Sequence, residues 1–149
     1  MRLRGSSLSL YLDTSALIKL LVDEPESDVA RQTFSRASAV TTSVLTRVEA
    51  VSALARIHKG GRISSMQLQS GLRELETLWA RIDLHSVTAE VLHHAELAAI
   101  DHALRAYDSL HLATALRFTE IDKVAFACWD RELREAAREH GFALVPAQI

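Results

Sequence analysis

Four carboxylates stand in apolar company in a chain whose other acids mostly lie in plainly polar runs. Asp13 follows Leu10-Tyr11-Leu12, and Glu49 lies within Val48-Glu49-Ala50-Val51. Asp108 sits in Ala106-Tyr107-Asp108-Ser109-Leu110, and Asp130 comes at the end of Val124-Ala125-Phe126-Ala127-Cys128-Trp129. Carboxylates gathered in such surroundings repel one another and cost solvation energy unless a cation or proton offsets their charge. A hard divalent ion such as Mg²⁺ does this with one or two carboxylates, keeps part of its water shell, and accepts phosphate oxygens. Two such ions about 3.5–4 Å apart can activate a water and stabilise the leaving oxygen in phosphodiester cleavage. Taken singly, Asp13, Asp108 and Asp130 are equally well explained as helix caps, where free backbone N–H groups favour a carboxylate. Glu49 lies a turn into an otherwise apolar helix with its nearest basic neighbour, Arg47, two positions away and on another face, so its simpler explanation is exposure on the helix edge. Only a fold that brings all four together separates the two readings.

The elements that would position them alternate along the chain. An apolar run ending at Leu12 reads as a strand, and Thr14 or Ser15 reads as the cap of a helix over Ala16–Val22. Pro25 suits a first helical position, opening a helix over Glu26–Ala37. Ala39–Thr42 reads as a second strand. Ser43 would cap an amphipathic helix with apolar Val44, Val48, Val51, Leu54, Ala55 and Ile57, closed by Gly60-Gly61. Ser64 and Gln67 have the spacing of a capping box for a helix reaching Trp79. Ile82–Val87 is a third strand, Thr88 caps a helix to about Ile100, and a break over Asp101–Arg105 precedes a helix over Tyr107–Phe118. Val124–Cys128 is a fourth strand, Asp130 caps a last helix ended by Gly141, and Phe142–Val145 is a fifth strand before Pro146. Strands alternating with helices predict an α/β chain with a parallel sheet covered on both faces. The carboxyl ends of such strands lie along one edge, where open sheets bind ligands.

Composition narrows the partners. The chain has 149 residues, 48% hydrophobic and 24% charged, which suits one domain over 1–149 with a real core. A single cysteine, Cys128, excludes an intramolecular disulfide or a multi-cysteine metal site. Arg2 and Arg4 precede a short, serine-broken apolar stretch, so neither a signal peptide nor a membrane span is expected, and a cytoplasmic setting is. The net charge of −2 is not that of a uniformly basic nucleic-acid binder. Once four acids are committed to cations, however, the remaining acids are outnumbered by the 17 basic residues.

Asp13-Thr14-Ser15-Ala16-Leu17, Thr46-Arg47-Val48-Glu49-Ala50-Val51-Ser52-Ala53-Leu54, Arg105-Ala106-Tyr107-Asp108-Ser109-Leu110-His111-Leu112-Ala113 and Asp130-Arg131-Glu132-Leu133 resemble, in order and over essentially the whole chain, the PIN domain. More narrowly they resemble the VapC toxins of VapBC toxin–antitoxin pairs. The resemblance implies a three-layer α/β/α domain with a five-stranded parallel sheet. It also implies an endoribonuclease that uses Mg²⁺ or Mn²⁺ to activate water against RNA, restrained by a VapB-like antitoxin and forming a homodimer. Residue by residue, Asp13, Glu49, Asp108 and Asp130 match the acidic positions, and Ser15 matches a hydroxyl that supports the first Asp. One departure is Cys128, followed by Trp129, where the family often has Thr or Ser; it puts a secondary polar contact in doubt.

Other residues are weighed against simpler roles. His111, one turn after Asp108, reads as structural or supporting, since Mg²⁺ prefers oxygen. His93, His94 and His102 read as surface residues without metal-ligand spacing. Arg47, Arg56, Lys59, Arg62 and Arg105 are candidates for phosphate contacts, and so few aromatic residues argue against a base-stacking platform. Leu17, Leu20, Leu21 and the Glu26–Ala37 helix offer either core or partner surface. Two rival functions remain. One is a PIN-like module that binds RNA or protein without cutting. The other is a phosphatase or receiver domain, against which Ser15 counts because the dehalogenase-type pattern expects an Asp there.

Overall fold

Leu10 and Leu12 point to one face of the first strand and Tyr11 to the other, and this alternation divides the molecule into its two cores. The computed structural model describes residues 7–149; Arg2 and Arg4, weighed above as the flank of a leader, lie outside the described residues. Five parallel strands, β1 (Leu8–Leu12), β2 (Ala37–Ser43), β3 (Asp83–His85), β4 (Val124–Ala127) and β5 (Ala143–Val145), lie in the order β3-β2-β1-β4-β5. The strand order reverses between β1 and β4, whose registers pair Tyr11 with Phe126 and Leu12 with Ala127. Such a reversal opens a crevice at the carboxyl ends of the two strands.

Helices α1 (Thr14–Leu21), α2 (Ser27–Arg36), α3 (Thr46–Lys59) and α4 (Ser65–Leu78) cover one face. There Leu10, Leu12, Val40, Ala125 and Ala127 pack with Leu17, Phe34, Leu54 and Leu75. Helices α5 (Ala89–His102), α6 (Ala106–Phe118) and α7 (Arg131–Glu139) cover the other, where Tyr11, Phe126 and Cys128 pack with Leu112, Leu133 and Ala137. Each fully buried Leu or Phe contributes about 1.5–3 kcal/mol. The expected α/β layering, parallel sheet and strand count are all present.

Local details depart from expectation where a side chain found a better partner. Asp13 itself caps α1, accepting from Ala16 N–H at 2.9 Å, in place of Thr14 or Ser15. Pro25 lies outside α2, whose cap is Glu26 in the left-handed region at φ 67°. Ser43 ends β2 and α3 starts after Leu45, because Thr42 and Thr46 hydrogen-bond each other at 2.8 Å across the corner. The third strand shrinks from Ile82–Val87 to Asp83–His85. The capping box at Ser64 and Gln67, the Thr88 cap and the Asp130 cap form as expected. Val44, Val48 and Val51, read as core positions, are exposed, while Ala50 and Leu54 are fully buried. Leu17 and Leu20 are buried, which removes them as partner surface.

One buried cation fastens the turn that carries Asp130. Arg134 is only 3% exposed and donates from Nη1 to the Cys128 carbonyl at 2.8 Å and from Nη2 to the Pro146 carbonyl at 2.7 Å. Arg134→Leu leaves both carbonyls without a donor and should cost about 2–4 kcal/mol in urea unfolding. A loss below about 1 kcal/mol would show that water replaces the guanidinium at no cost.

Candidate active site

Asp13 follows β1 directly and Asp130 follows β4 after only Cys128 and Trp129, so the topology sets them on either side of the crevice. Glu49 lies in the first turn of α3 and Asp108 in the first turn of α6, which brings each helix start to the same edge. All four carboxylates, with Thr14, Ser15, Arg56, Arg105, Tyr107 and His111, line one cleft of about 530 Å³. The four acids singled out by their apolar neighbours thus converge, although they come from four separate segments.

Asp13 is the most constrained of them. It is 3% exposed. Its Oδ1 accepts from Ser15 Oγ–H at 2.7 Å and from Ala16 N–H at 2.9 Å, and its Oδ2 accepts from the Cys128 thiol at 3.1 Å. Ser15 Oγ in turn accepts from Trp129 N–H at 2.8 Å, which ties the start of α1 to the end of β4. The polar contact that Cys128 put in doubt is therefore made, by a thiol. Burial and the neighbouring Asp13 charge push that thiol far up, so it stays protonated and can donate.

Burial also raises Asp13 above the ordinary carboxylate range, against the opposing pull of His111, Ser15 and its other donors. Asp108 is raised as well, by burial and then by the charge of Asp130, while Arg105 pulls it back. Arg105 reaches over both acids from the exposed rim, with Nη2 3.1 Å from Asp130 Oδ2 and Nε 3.4 Å from Asp108 Oδ2. The Nε contact is one of charge only, since Asp108 Oδ2 is buried with no hydrogen-bond partner among the described residues. Asp130 also caps α7 through Leu133 N–H at 3.0 Å.

This donor set fits a hard divalent ion. It consists of carboxylate oxygens, one of them orphaned, in a cleft open to water. Among the described residues no three His, Cys, Asp or Glu side chains are drawn in tightly enough to cage an ion.

His111 is 2% exposed. Its Nε2 lies 2.9 Å from Glu49 Oε1 and 3.3 Å from Thr14 Oγ1, and its Nδ1 lies 2.9 Å from the Tyr11 hydroxyl. Burial alone would lower its pKa, but the hydrogen bond to Glu49 and the charges of Asp13, Glu49 and Asp108 outweigh it, and the net shift is upward. Tyr11 was missed as a site residue, although a signal existed: a buried tyrosine needs a partner for its hydroxyl. Tyr107, 54% exposed, stands at the cleft mouth. Of the basic candidates only Arg56 and Arg105 line the cleft, while Arg47 pairs with Glu76 and Arg62 with Glu24. His93 and His94 are exposed as expected, but His102 has partners, His140 at 3.2 Å and Glu139 at 3.3 Å.

The PIN domain family profile matches residues 10–139. Ribonuclease VapC45 of Mycobacterium tuberculosis is 35% identical over 140 residues, covering 94% of this chain and 96% of that protein. Among solved structures, M. tuberculosis VapC20, described as a sarcin-ricin loop cleaving toxin, superposes with a TM-score of 0.67 at 17% identity. That match covers 90% of this chain and 96% of VapC20. A chain of the DNA-bound VapBC assembly from Salmonella typhimurium superposes with a TM-score of 0.61 at 19% identity, covering 92% of this chain and 96% of that one. At these identities the structures attest the fold.

The raised Asp13 and Asp108 give a stability signature. A carboxyl whose pKa is raised on folding binds its proton more readily folded than unfolded, so its charge destabilises the fold at neutral pH. That penalty is relieved as pH falls through the raised folded value towards the ordinary one. Asp108→Asn should therefore melt a few degrees above wild type in EDTA at pH 7, about 1 kcal/mol being 2–4 °C at this size. The gap should close as pH is lowered towards 4, and Mn²⁺ should raise the melting temperature of wild type more than that of the variant. A variant that melts lower at pH 7 would mean that Asp108 is held by attraction.

Proposed function

We propose, for a chain that belongs to the PIN domain family and within it to the VapC ribonucleases, that it is the endoribonuclease toxin of a VapBC pair. It hydrolyses RNA phosphodiester bonds and depends on Mg²⁺, for which Mn²⁺ can substitute. The observation that carries this reading is the convergence of Asp13, Glu49, Asp108 and Asp130 on one cleft at the sheet's reversal point, with Asp108 Oδ2 left orphaned. A module that only binds RNA or protein has no use for four mutually repelling acids.

Asp13, Glu49, Asp108 and Asp130 would hold the cation. When bound, it supplies charge neutralisation for the phosphate and lowers the pKa of coordinated water. The chain's own residues do the rest. Ser15, Ala16 N–H and Cys128 fix the Asp13 carboxylate so that it needs no reorganisation when substrate arrives. Arg105, whose side chain is 75% exposed, and Arg56 stand where an RNA backbone would enter, and their guanidinium groups suit phosphate oxygens. Tyr107 offers a ring at the same mouth for an unstacked base.

The VapBC assembly among the structural neighbours supports a VapB-like antitoxin as partner. No helix among the described residues is long and apolar enough to cross a membrane. The exposed row of Val44, just before α3, and Val48 and Val51 on it supports a homodimer, since a second copy would bury it.

Purified protein should cut RNA with Mg²⁺ or Mn²⁺ and lose cleavage in EDTA. Asp108→Asn should lower kcat by at least about 100-fold while the circular dichroism spectrum is retained. Equal cleavage in EDTA, or full activity of the variant, would overturn the metal-dependent reading. For the dimer, Val48→Glu combined with Val51→Glu should sediment as a monomer, and a dimer that survives both changes would place the interface elsewhere.

A further inference from the structure

We infer that Tyr11 and His111 are positioning residues for Glu49: a buried phenol–imidazole–carboxylate chain aims one Glu49 oxygen at the cleft by holding the other. The inference rests on Glu49 acting as a metal ligand in the proposed nuclease. Of the four acids, Glu49 has the longest side chain and three rotatable bonds, so it has the most freedom to lose when it binds an ion. Asp13 is fixed by three donors and Asp130 by a helix start and Arg105, whereas Glu49 is held through Oε1 by His111.

The direction of the chain follows from its chemistry. A carboxylate can only accept, so His111 Nε2 carries the proton and donates to Glu49 Oε1 at 2.9 Å. In the neutral ring Nδ1 is then the acceptor, and the Tyr11 hydroxyl, 2.9 Å away, donates to it, which selects the tautomer that presents the donor. In the imidazolium Nδ1–H donates to the Tyr11 oxygen instead, and Nε2–H faces Glu49 in both forms. The chain is anchored at both ends in rigid structure: Tyr11 is fully buried in β1 and stacks on Phe126 at 5.0 Å between centroids, while His111 lies in α6 among buried residues. It reaches from the sheet through α6 to α3 and fixes a side chain that its own helix leaves free. Outer hydrogen bonds of this kind tune metal ligands by about 10- to 100-fold in affinity or activity.

Two amide substitutions distinguish positioning from space-filling. Glutamine places its amide nitrogen as many bonds from the backbone as Nε2, and asparagine places its own as many as Nδ1. His111→Gln therefore keeps a donor for Glu49, and His111→Asn loses it. The experiment measures Mn²⁺ affinity by electron paramagnetic resonance, alongside kcat and KM for RNA cleavage, on full-length chains shown by thermal melting to be folded. His111→Asn should weaken Mn²⁺ affinity and kcat about tenfold or more with KM within about twofold, and His111→Gln should lose only a few-fold. In a Glu49→Ala background His111→Asn should add no further loss, because the two residues act as a unit.

Equal losses for the two amides, or a tenfold cost that persists without Glu49, would overturn the positioning role while leaving the nuclease intact. Wild type that neither binds Mn²⁺ nor cuts RNA would overturn the nuclease reading and the inference with it. If neither amide variant folds, Tyr11→Phe decides, since it removes one hydroxyl and keeps the ring. A several-fold loss of Mn²⁺ affinity supports the chain, and unchanged affinity overturns it.

Discussion

Negative charge held out of bulk water at one sheet edge is the constraint to which the local structure answers. Four carboxylates from four segments face one cleft; burial raises Asp13, and burial with repulsion from Asp130 and Asp13 raises Asp108. Left to themselves, such side chains would rotate outward or take up protons. Three kinds of restraint oppose this. Backbone N–H groups at helix starts hold Asp13 and Asp130, neutral donors from Ser15 and Cys128 complete Asp13, and the Arg105 guanidinium spans Asp108 and Asp130. Capping and site-building are thus one interaction, because the oxygen that accepts Ala16 N–H belongs to the acid that faces the cleft.

The parallel sheet makes this possible at little cost. Both β1 and β4 end at the strand-order reversal, where no crossover covers their carboxyl ends, so Asp13 reaches the crevice directly from its strand and Asp130 after only Cys128 and Trp129. Burying Tyr11 on the opposite face from Leu10 and Leu12 sends its hydroxyl towards α6 and His111. The core and the site therefore share residues. Tyr11 packs on Phe126 with its ring and orders Glu49 through its oxygen.

The alternation of strands with helices was legible in sequence, and so was the odd polarity of Asp13, Glu49, Asp108 and Asp130. Both signals depend only on neighbours a few residues away. What was not legible depended on residues far along the chain. The α3 start moved past Ser43 because Thr42 turned inward to Thr46 and the Leu12 carbonyl. Val48 and Val51 looked like core because periodicity marks an apolar face without saying what covers it, and small Ala50 with Leu54 proved to be the buried face. Cys128 looked like a missing hydroxyl, but its thiol sits just past the end of β4, at the right point to donate to Asp13 across the crevice.

The rim cation completes the balance of charge in a way that leaves the site usable. An exposed ion pair contributes about 0–1 kcal/mol, because solvent screens it and ordering a long side chain opposes it. Arg105, at 75% side-chain exposure, lies in that regime, and its Nε contact with Asp108 lacks hydrogen-bond alignment. In the proposed nuclease a divalent ion, with twice the charge on a far smaller radius, would meet the same oxygens directly. Displacing the guanidinium would then cost little, and once displaced it would remain at the cleft mouth, where an incoming phosphate needs a positive partner. A lysine could neutralise the acids as well, but its single ammonium could not span Asp108 and Asp130 through two nitrogens and then meet a phosphate with a planar fork. The tether that quiets the acids without metal is thus built from the group best suited to the backbone they would cut.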